Sequence, residues 1–309
     1  MRRTPTPVRR LAATWLCLVL GLAACSDSDP FCPRNTPGRT DFPGRITINT
    51  QAGVEGLRGI ERVAGDLEIR GHDITDLSPL ADLKIVEDRL RLLNLNNVQY
   101  FDALAGLEQV GDLDIYDCLQ LTSMAVFSDI DSCRTLKVRN CQYLTDLPDE
   151  DFFAGVERID LNQLDRLTSL APIGGAANLE RLYLARLPLV SDYELVADFT
   201  GLGNLTLYDL PMVALPDLGA IVDLWWLRLR GLNSLESLAG LRGCSVQSLD
   251  IDDCGNISSL SGISDCPRLA ELSIWRLAGL ESLVGLQNLP LLERIKVAEC
   301  PLFTDLAGV

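Results

Sequence analysis

Twelve times between Ile46 and Val297 the chain places two apolar residues on either side of one residue of any kind. The pairs are Ile46/Ile48, Leu67/Ile69, Leu90/Leu92, Leu113/Ile115, Leu136/Val138, Ile159/Leu161, Leu182/Leu184, Leu205/Leu207, Leu227/Leu229, Leu249/Ile251, Leu272/Ile274 and Ile295/Val297. Successive pairs are 21 residues apart once, then 23 six times, 22 twice and 23 twice. Taking the first residue of each pair as position 0, apolar residues also recur at −3, 5, 8, 11, 14 and often 17. Position 8, for example, reads Val54, Val98, Leu121, Leu144, Leu167, Val190, Val213, Leu235, Ile257, Leu280 and Phe303. Alternation at 0 and 2 predicts a short strand whose odd neighbours face away from the core. The later spacing of three is too tight for a long α-helix and predicts short turns or 3₁₀ pieces. A period this constant predicts a solenoid in which adjacent coils complete one another's core, leaving the terminal coils weakest.

The phrase Leu269-Ala-Glu-Leu272-Ser-Ile274-Trp-Arg-Leu277-Ala-Gly-Leu280-Glu-Ser-Leu283 resembles the leucine-rich repeat family. Val63-Ala-Gly-Asp-Leu67-Glu-Ile69 and Val110-Gly-Asp-Leu113-Asp-Ile115 look like bacterial relatives of receptor L domains. Ile74-Thr-Asp-Leu77-Ser-Pro-Leu80-Ala-Asp-Leu83 is similar to internalin repeats. The resemblance covers nearly everything after Arg45. It implies a strand-dominated α/β fold: a right-handed solenoid with one long parallel sheet and about 12 coils of 22–23 residues. Such families share a shape rather than a reaction, so function must be argued from surfaces. The chain departs from the family at position 5, where repeats often carry Asn and this one mostly carries Leu or Cys, with His72 once.

The front of the chain has a different composition. Arg2, Arg3, Arg9 and Arg10 flank an apolar run from Leu11 to Ala24, too short to span a bilayer but suited to a signal peptide. Leu22-Ala23-Ala24-Cys25 looks like a bacterial lipobox, which implies cleavage before Cys25 and acylation of that residue. An ordinary secretory signal with a coincidental Cys is the alternative. Residues 1–24 are therefore expected as a leader and 25–44, rich in Ser, Asp, Pro and Gly, as a tether. The solenoid would occupy 45–309. Two or more acyl chains would anchor the protein durably, with no other membrane contact. Ser26 after the lipidated Cys favours the outer membrane or cell surface of a bacterial envelope.

A net charge of −16 opposes nucleic acid and anionic lipid head groups and otherwise reads as solvation. In an oxidising compartment the ten cysteines would leave eight after Cys17 and Cys25. Cys118 and Cys141 share position 5 of adjacent coils, and Cys244 and Cys266 share position 17, which puts each pair within disulfide reach. The alternative is that all are buried thiols filling their columns. No CxxC pair exists and the lone His72 has no partner, so no zinc site or other cofactor is expected. His72 reads as a turn residue rather than a general base. Asp250, Asp252 and Asp253 lack the spacing of a calcium loop and read as surface acids. No nucleophile motif or phosphate loop appears, and the chain does not read as an enzyme.

What remains is the outward sheet face. Tyr183, Tyr208, Trp226, Arg228, Arg230 and Trp275 cluster there, after an earlier group of Tyr116, Arg139, Arg158 and Arg181. These residue types bury large areas with few rotors and keep a polar handle, which suits contact hot spots. The expected function is recognition of a protein partner by a tethered scaffold. A structural envelope spacer and a glycan-binding module are the alternatives. Against the surface reading, Arg228 and Arg230 face Asp250 and Asp252 on the next strand and would form an ion-pair ladder of small worth.

Overall fold

The computed structural model describes residues 40–306, and the expected leader, Cys25 and most of the tether lie outside them. Fourteen strands form a single sheet, all pairings parallel. They are β1 (Asp41–Phe42), β2 (Ile46–Ile48), β3 (Arg62–Val63), β4 (Leu67–Arg70), β5 (Ile85–Leu93), β6 (Gln109–Tyr116) and β7 (Thr135–Arg139). These are followed by β8 (Arg158–Asn162), β9 (Arg181–Ala185), β10 (Asn204–Tyr208), β11 (Trp226–Arg230), β12 (Ser248–Asp252), β13 (Glu271–Trp275) and β14 (Arg294–Ala298). From β5 to β14 each strand pairs with the next, and position 0 always meets position 0, as in Leu205↔Leu182 and Leu205↔Leu227. Register is fixed because a one-residue slip would turn every buried apolar side chain outward.

The spacing of three has a direct cause. The N–H at position 8 donates to the carbonyl at position 5, as in Leu121 to Cys118 at 3.1 Å and Leu144 to Cys141 at 3.1 Å. Position 14 does the same to position 11, as in Phe127 to Met124 and Ile173 to Leu170, both at 2.9 Å. An i to i+3 bond gives three residues per turn, so every third side chain faces inward. Short 3₁₀ pieces such as Ala125–Phe127 and Ala239–Leu241 result, and the one α-helix among the described residues is the single turn Gln51–Glu55. Serine at position 10 caps them: Ser123 Oγ accepts from Ala125 N–H, Ser169 from Ala171 and Ser237 from Ala239.

Position 4 turns every corner from Gly71 onward. Gly71, Asn94, Asp117, Asn140, Gln163, Arg186, Asp209, Gly231, Asp253, Arg276 and Glu299 all have left-handed φ, between 51° and 130°. From Gly71 to Arg276 each turns its N–H onto the position-3 carbonyl of the following coil, as in Gln163 to Ala185 at 2.9 Å and Arg186 to Tyr208 at 3.0 Å. Asn and Asp tolerate this conformation at small cost, whereas long side chains pay about 1–2 kcal/mol.

The core is one continuous column stack in which Leu90, Leu113, Leu205, Leu207 and their counterparts are fully buried. Four expectations need correction. First, the tether ends earlier than 44, because Asp41 and Phe42 already pair with Arg62 and Val63. Second, Val213, assigned to position 8, is 56% exposed. Its coil is one residue short after Leu210, so Met212, Leu215 and Leu218 take the inward places. Third, His72 lies in a turn but leaves column position 5, where it is exposed, and Ile74 fills the column instead. The His72 carbonyl accepts from Asn97 Nδ2 at 2.6 Å.

The fourth concerns the hypothesised bridges Cys118–Cys141 and Cys244–Cys266: all four residues are free, buried thiols. None of the four lies in a paired strand; Cys118 and Cys141 follow β6 and β7, and Cys244 and Cys266 lie in the loops that lead to β12 and β13. The thiols instead donate to carbonyls: Cys118 to Leu92 at 3.5 Å, Cys266 to Leu241 at 3.2 Å, and Cys254 to Asp252 at 3.6 Å.

Two predictions follow from this geometry. Gln163 has no side-chain partner, so Gln163→Gly relieves the left-handed corner and should stabilise the chain by about 0.5–1 kcal/mol, while Gln163→Val should destabilise it. Urea denaturation of both variants checks the sign, and a more stable valine variant would refute it.

Burial pushes the thiols of Cys133, Cys141 and Cys244 up to about 12 and that of Cys254 up to about 11, from an ordinary 9.0. The six buried thiols should resist a thiol-exchange reagent at pH 8 and react fully once the chain is unfolded without reductant. Because the folded state holds these protons more tightly, stability is intact below pH 9.0 and declines as pH climbs toward about 12. Denaturation midpoints between pH 8 and 11 measure that decline.

Candidate functional site

Positions −1, 1 and 3 make three parallel columns on the outer sheet face. Column −1 runs Thr135, Arg158, Arg181, Asn204, Trp226, Ser248, Glu271, Arg294 from β7 to β14. Column 1 runs Lys137, Asp160, Tyr183, Thr206, Arg228, Asp250, Ser273, Lys296 over the same strands. Column 3 holds Arg139, Asn162, Ala185, Tyr208, Arg230, Asp252, Trp275 and Ala298. The strand period alone puts the six expected surface residues on one face. The stacking then brings Trp226, Arg228, Tyr208 and Arg230 together on β10 and β11, with Tyr183 one strand before and Trp275 two strands after.

The ion-pair ladder and the aromatic cluster coexist. Arg228 Nε lies 2.9 Å from Asp250 Oδ2 and Arg230 Nε lies 3.3 Å from Asp252 Oδ2, while Arg276 reaches Asp252 at 2.6 Å. These guanidiniums also cover rings. Arg228 stands 4.8 Å over Trp226, and Arg230 and Arg186 stand 5.3 and 4.9 Å over Tyr208. Lys296 stands 4.2 Å over Trp275. Each exposed ion pair contributes at most about 1 kcal/mol, and a cation over a half-exposed ring about 0.5–1 kcal/mol. Their combined effect is to fix rotamers that would otherwise be free, so the patch is ordered before any partner arrives. Tyr183 carries no such cover. Burial, reinforced by Asp160, raises its hydroxyl above the usual tyrosine range, against the pull of Arg139 and Arg186.

Trp225 belongs to the patch and was not anticipated. It is 46% exposed, its ring centroid 6.1 Å from that of Trp226 and tilted 40° to it. Both Trp225 and Trp226 N–H groups converge on the Gly203 carbonyl, at 3.0 and 3.2 Å, and bend the chain as it enters β11. The Trp225 ring lies against Gly203, where a Cβ would sit 2.5 Å from Nε1. A glycine one coil before a tryptophan, both at position −2, was the available signal. Periodicity misses it because position −2 lies outside the alternating strand core.

The earlier group is differently wired. Arg139 is bonded to Asp160, which raises the guanidinium pKa beyond its usual value. Burial pushes the Asp112 carboxyl upward, but the Thr135 hydroxyl, Arg134 and Arg89 outweigh it and hold it below the usual carboxylate range. Tyr116 is 42% exposed. Arg158 and Arg181 are register partners with no ion pair among the described residues. Asp250 and Asp252 serve arginines, as their outward strand positions imply. Among the described residues no three His, Cys, Asp or Glu side chains are grouped to hold a metal ion. A shallow depression lined by Asp265, Pro267, Asn288, Leu289 and Pro290 lies off the sheet face and gathers no reactive group.

No family model matches the chain, and no curated protein matches it. Solved structures are similar at low identity. An internalin from Listeria monocytogenes is 13% identical with a TM-score of 0.39, covering 84% of this chain and 87% of its own. A leucine-rich repeat protein of Leptospira interrogans is 14% identical with a TM-score of 0.36, covering 82% and 83%. A chain of the mouse RP105/MD-1 complex is 13% identical with a TM-score of 0.44, covering 87% of this chain and 49% of its own. At such scores the likeness adds nothing to what the coils themselves display. By its constant period, its parallel register and its left-handed corners, the protein is a solenoid of stacked coils, and its repeat phrase resembles that of leucine-rich repeats.

Proposed function

We propose that this protein is a lipid-anchored scaffold of the bacterial envelope that binds a protein partner through the sheet face between β9 and β13. The observation that carries the reading is the Trp225–Trp226 pair, one ring 46% exposed and the other partly exposed, beside Tyr208 and three arginines. Large exposed rings on a soluble face cost hydration free energy and mark contact surfaces. Residues of these types, pre-ordered on a rigid sheet, suit a broad macromolecular contact. A glycan would stack on open ring faces, and Trp226, Tyr208 and Trp275 each already carry a cation over a face. A spacer without a ligand would not need the rings at all.

Photo-crosslinking tests the face. A benzophenone residue placed at Thr206, between the rings, should trap one defined partner band in the native envelope. The same probe at Ser123, which caps the 3₁₀ turn Ala125–Phe127 off the sheet face, should not. Trp225→Ala with Trp226→Ala should weaken that adduct by about tenfold or more, since hot-spot truncations cost about 2 kcal/mol or above, with the denaturation midpoint nearly unchanged. Equal adducts at both probe sites would remove the assignment.

The anchor rests on Leu22-Ala23-Ala24-Cys25 and its basic and apolar leader. Cells fed a clickable fatty acid should label the protein, and Cys25→Ser should abolish the label and release the chain to the soluble fraction. A labelled serine variant, or an unlabelled wild type, would overturn this part while leaving the sheet-face reading untouched.

A further inference from the structure

We infer that Arg158 and Arg181 form a docking site for side-chain carboxylates on an acidic segment of the partner protein. This deepens the sheet-face reading and rests on it. The two arginines occupy column −1 of β8 and β9 and are direct register partners. In-register neighbours stand about 4.8 Å apart, and like charges so placed repel. Elsewhere on this face arginines are matched to acids: Arg89 to Asp112, Arg91 to Glu68, Arg139 to Asp160, Arg228 to Asp250, Arg230 to Asp252 and Arg294 to Glu271. Arg158 and Arg181 alone form an unmatched adjacent pair there among the described residues. Nor do the acids beside them in sequence, Glu157 and Glu180, make an ion pair with either.

A second observation points the same way. Arg158 Nε is shut off from solvent and has no hydrogen-bond partner. A buried donor left unmatched costs free energy, and no acceptor of the protein itself holds this guanidinium through that atom. In a chain of net charge −16 this pair is a local island of opposite sign. Guanidiniums suit planar carboxylates because they offer paired donors. The same column continues through Asn204 to Trp226, so a segment laid across the strands would meet two cations and then an aromatic anchor within roughly 14 Å. The matching partner segment therefore carries acidic residues followed by an apolar one.

Fluorescence anisotropy of the purified full chain with labelled hexaglutamate tests the site. Wild type should bind, more weakly at about 0.15 M salt than at low salt. Arg158→Gln with Arg181→Gln should weaken binding by about tenfold or more. Arg181→Gln alone, at an exposed side chain that should not affect folding, should weaken it severalfold. Arg268→Gln, which alters a cation paired with Asp223 off the sheet face, should leave affinity unchanged. No hexaglutamate binding, or equal binding by wild type and the double variant, would overturn the inference. So would inorganic tripolyphosphate displacing the peptide at lower concentration than hexaglutamate itself, which would make phosphate the ligand. If hexaglutamate fails while the Trp-dependent adduct at Thr206 persists, the acidic docking site falls and the scaffold stands. If the adduct fails as well, the sheet-face reading falls with it.

Discussion

Strands of five residues, the length found in every coil from β7 to β14, cannot hold together alone. Their N–H and C=O groups are satisfied by the coil before and the coil after, and their apolar faces are covered the same way. Lateral stacking in strict register is therefore the constraint on which the rest depends. It dictates that position 0 lie over position 0, that every corner turn at position 4, and that each corner N–H find the next coil's carbonyl. A side chain at any position is then surrounded by its own counterparts. That is why Leu columns are dry, why buried thiols find carbonyls, and why serine recurs where a 3₁₀ turn must be capped.

The same constraint shapes the surface. Columns on the outer face place side chains about 4.8 Å apart, close enough for each to feel the charge of the next. Alternating Arg and Asp in a column is thus favourable, and repeating Arg is not. The face between β11 and β12 takes the favourable choice, with Arg228–Asp250 and Arg230–Asp252 also holding rings in place. Between β8 and β9 it takes the unfavourable one. Two adjacent arginines with no acidic partner stand out against a ladder that otherwise pairs its arginines with acids.

Much of the fold was legible before any coordinates, because two short periods carry it. A spacing of two at positions 0 and 2 gave strands, and a spacing of three afterwards gave 3₁₀ turns. Departures were local. The coil holding Met212 and Val213 lost one residue after its corner, and a fixed numbering put the wrong one of the two inside. Asp41 and Phe42 joined the sheet although two residues show no period. The cysteines expected to bridge are free buried thiols, because shared columns show which coils hold them but not where their sulfurs point.

Sequence by itself determined the repeat, the inward columns and the identity of the outward residues, since these follow from side-chain period and need no knowledge of distant contacts. It also contained the basic residues and the apolar run that precede Cys25, a local order that needs no structure to be read. Only the tertiary structure decided which outward residues are committed to one another. Whether Arg228 is free or bound to Asp250, whether Trp225 lies over Gly203, and whether Arg158 has an acceptor are matters of neighbours more than twenty residues away. Coils that repeat almost alike make those neighbours predictable in position, but rotamers and pairings follow from packing between coils.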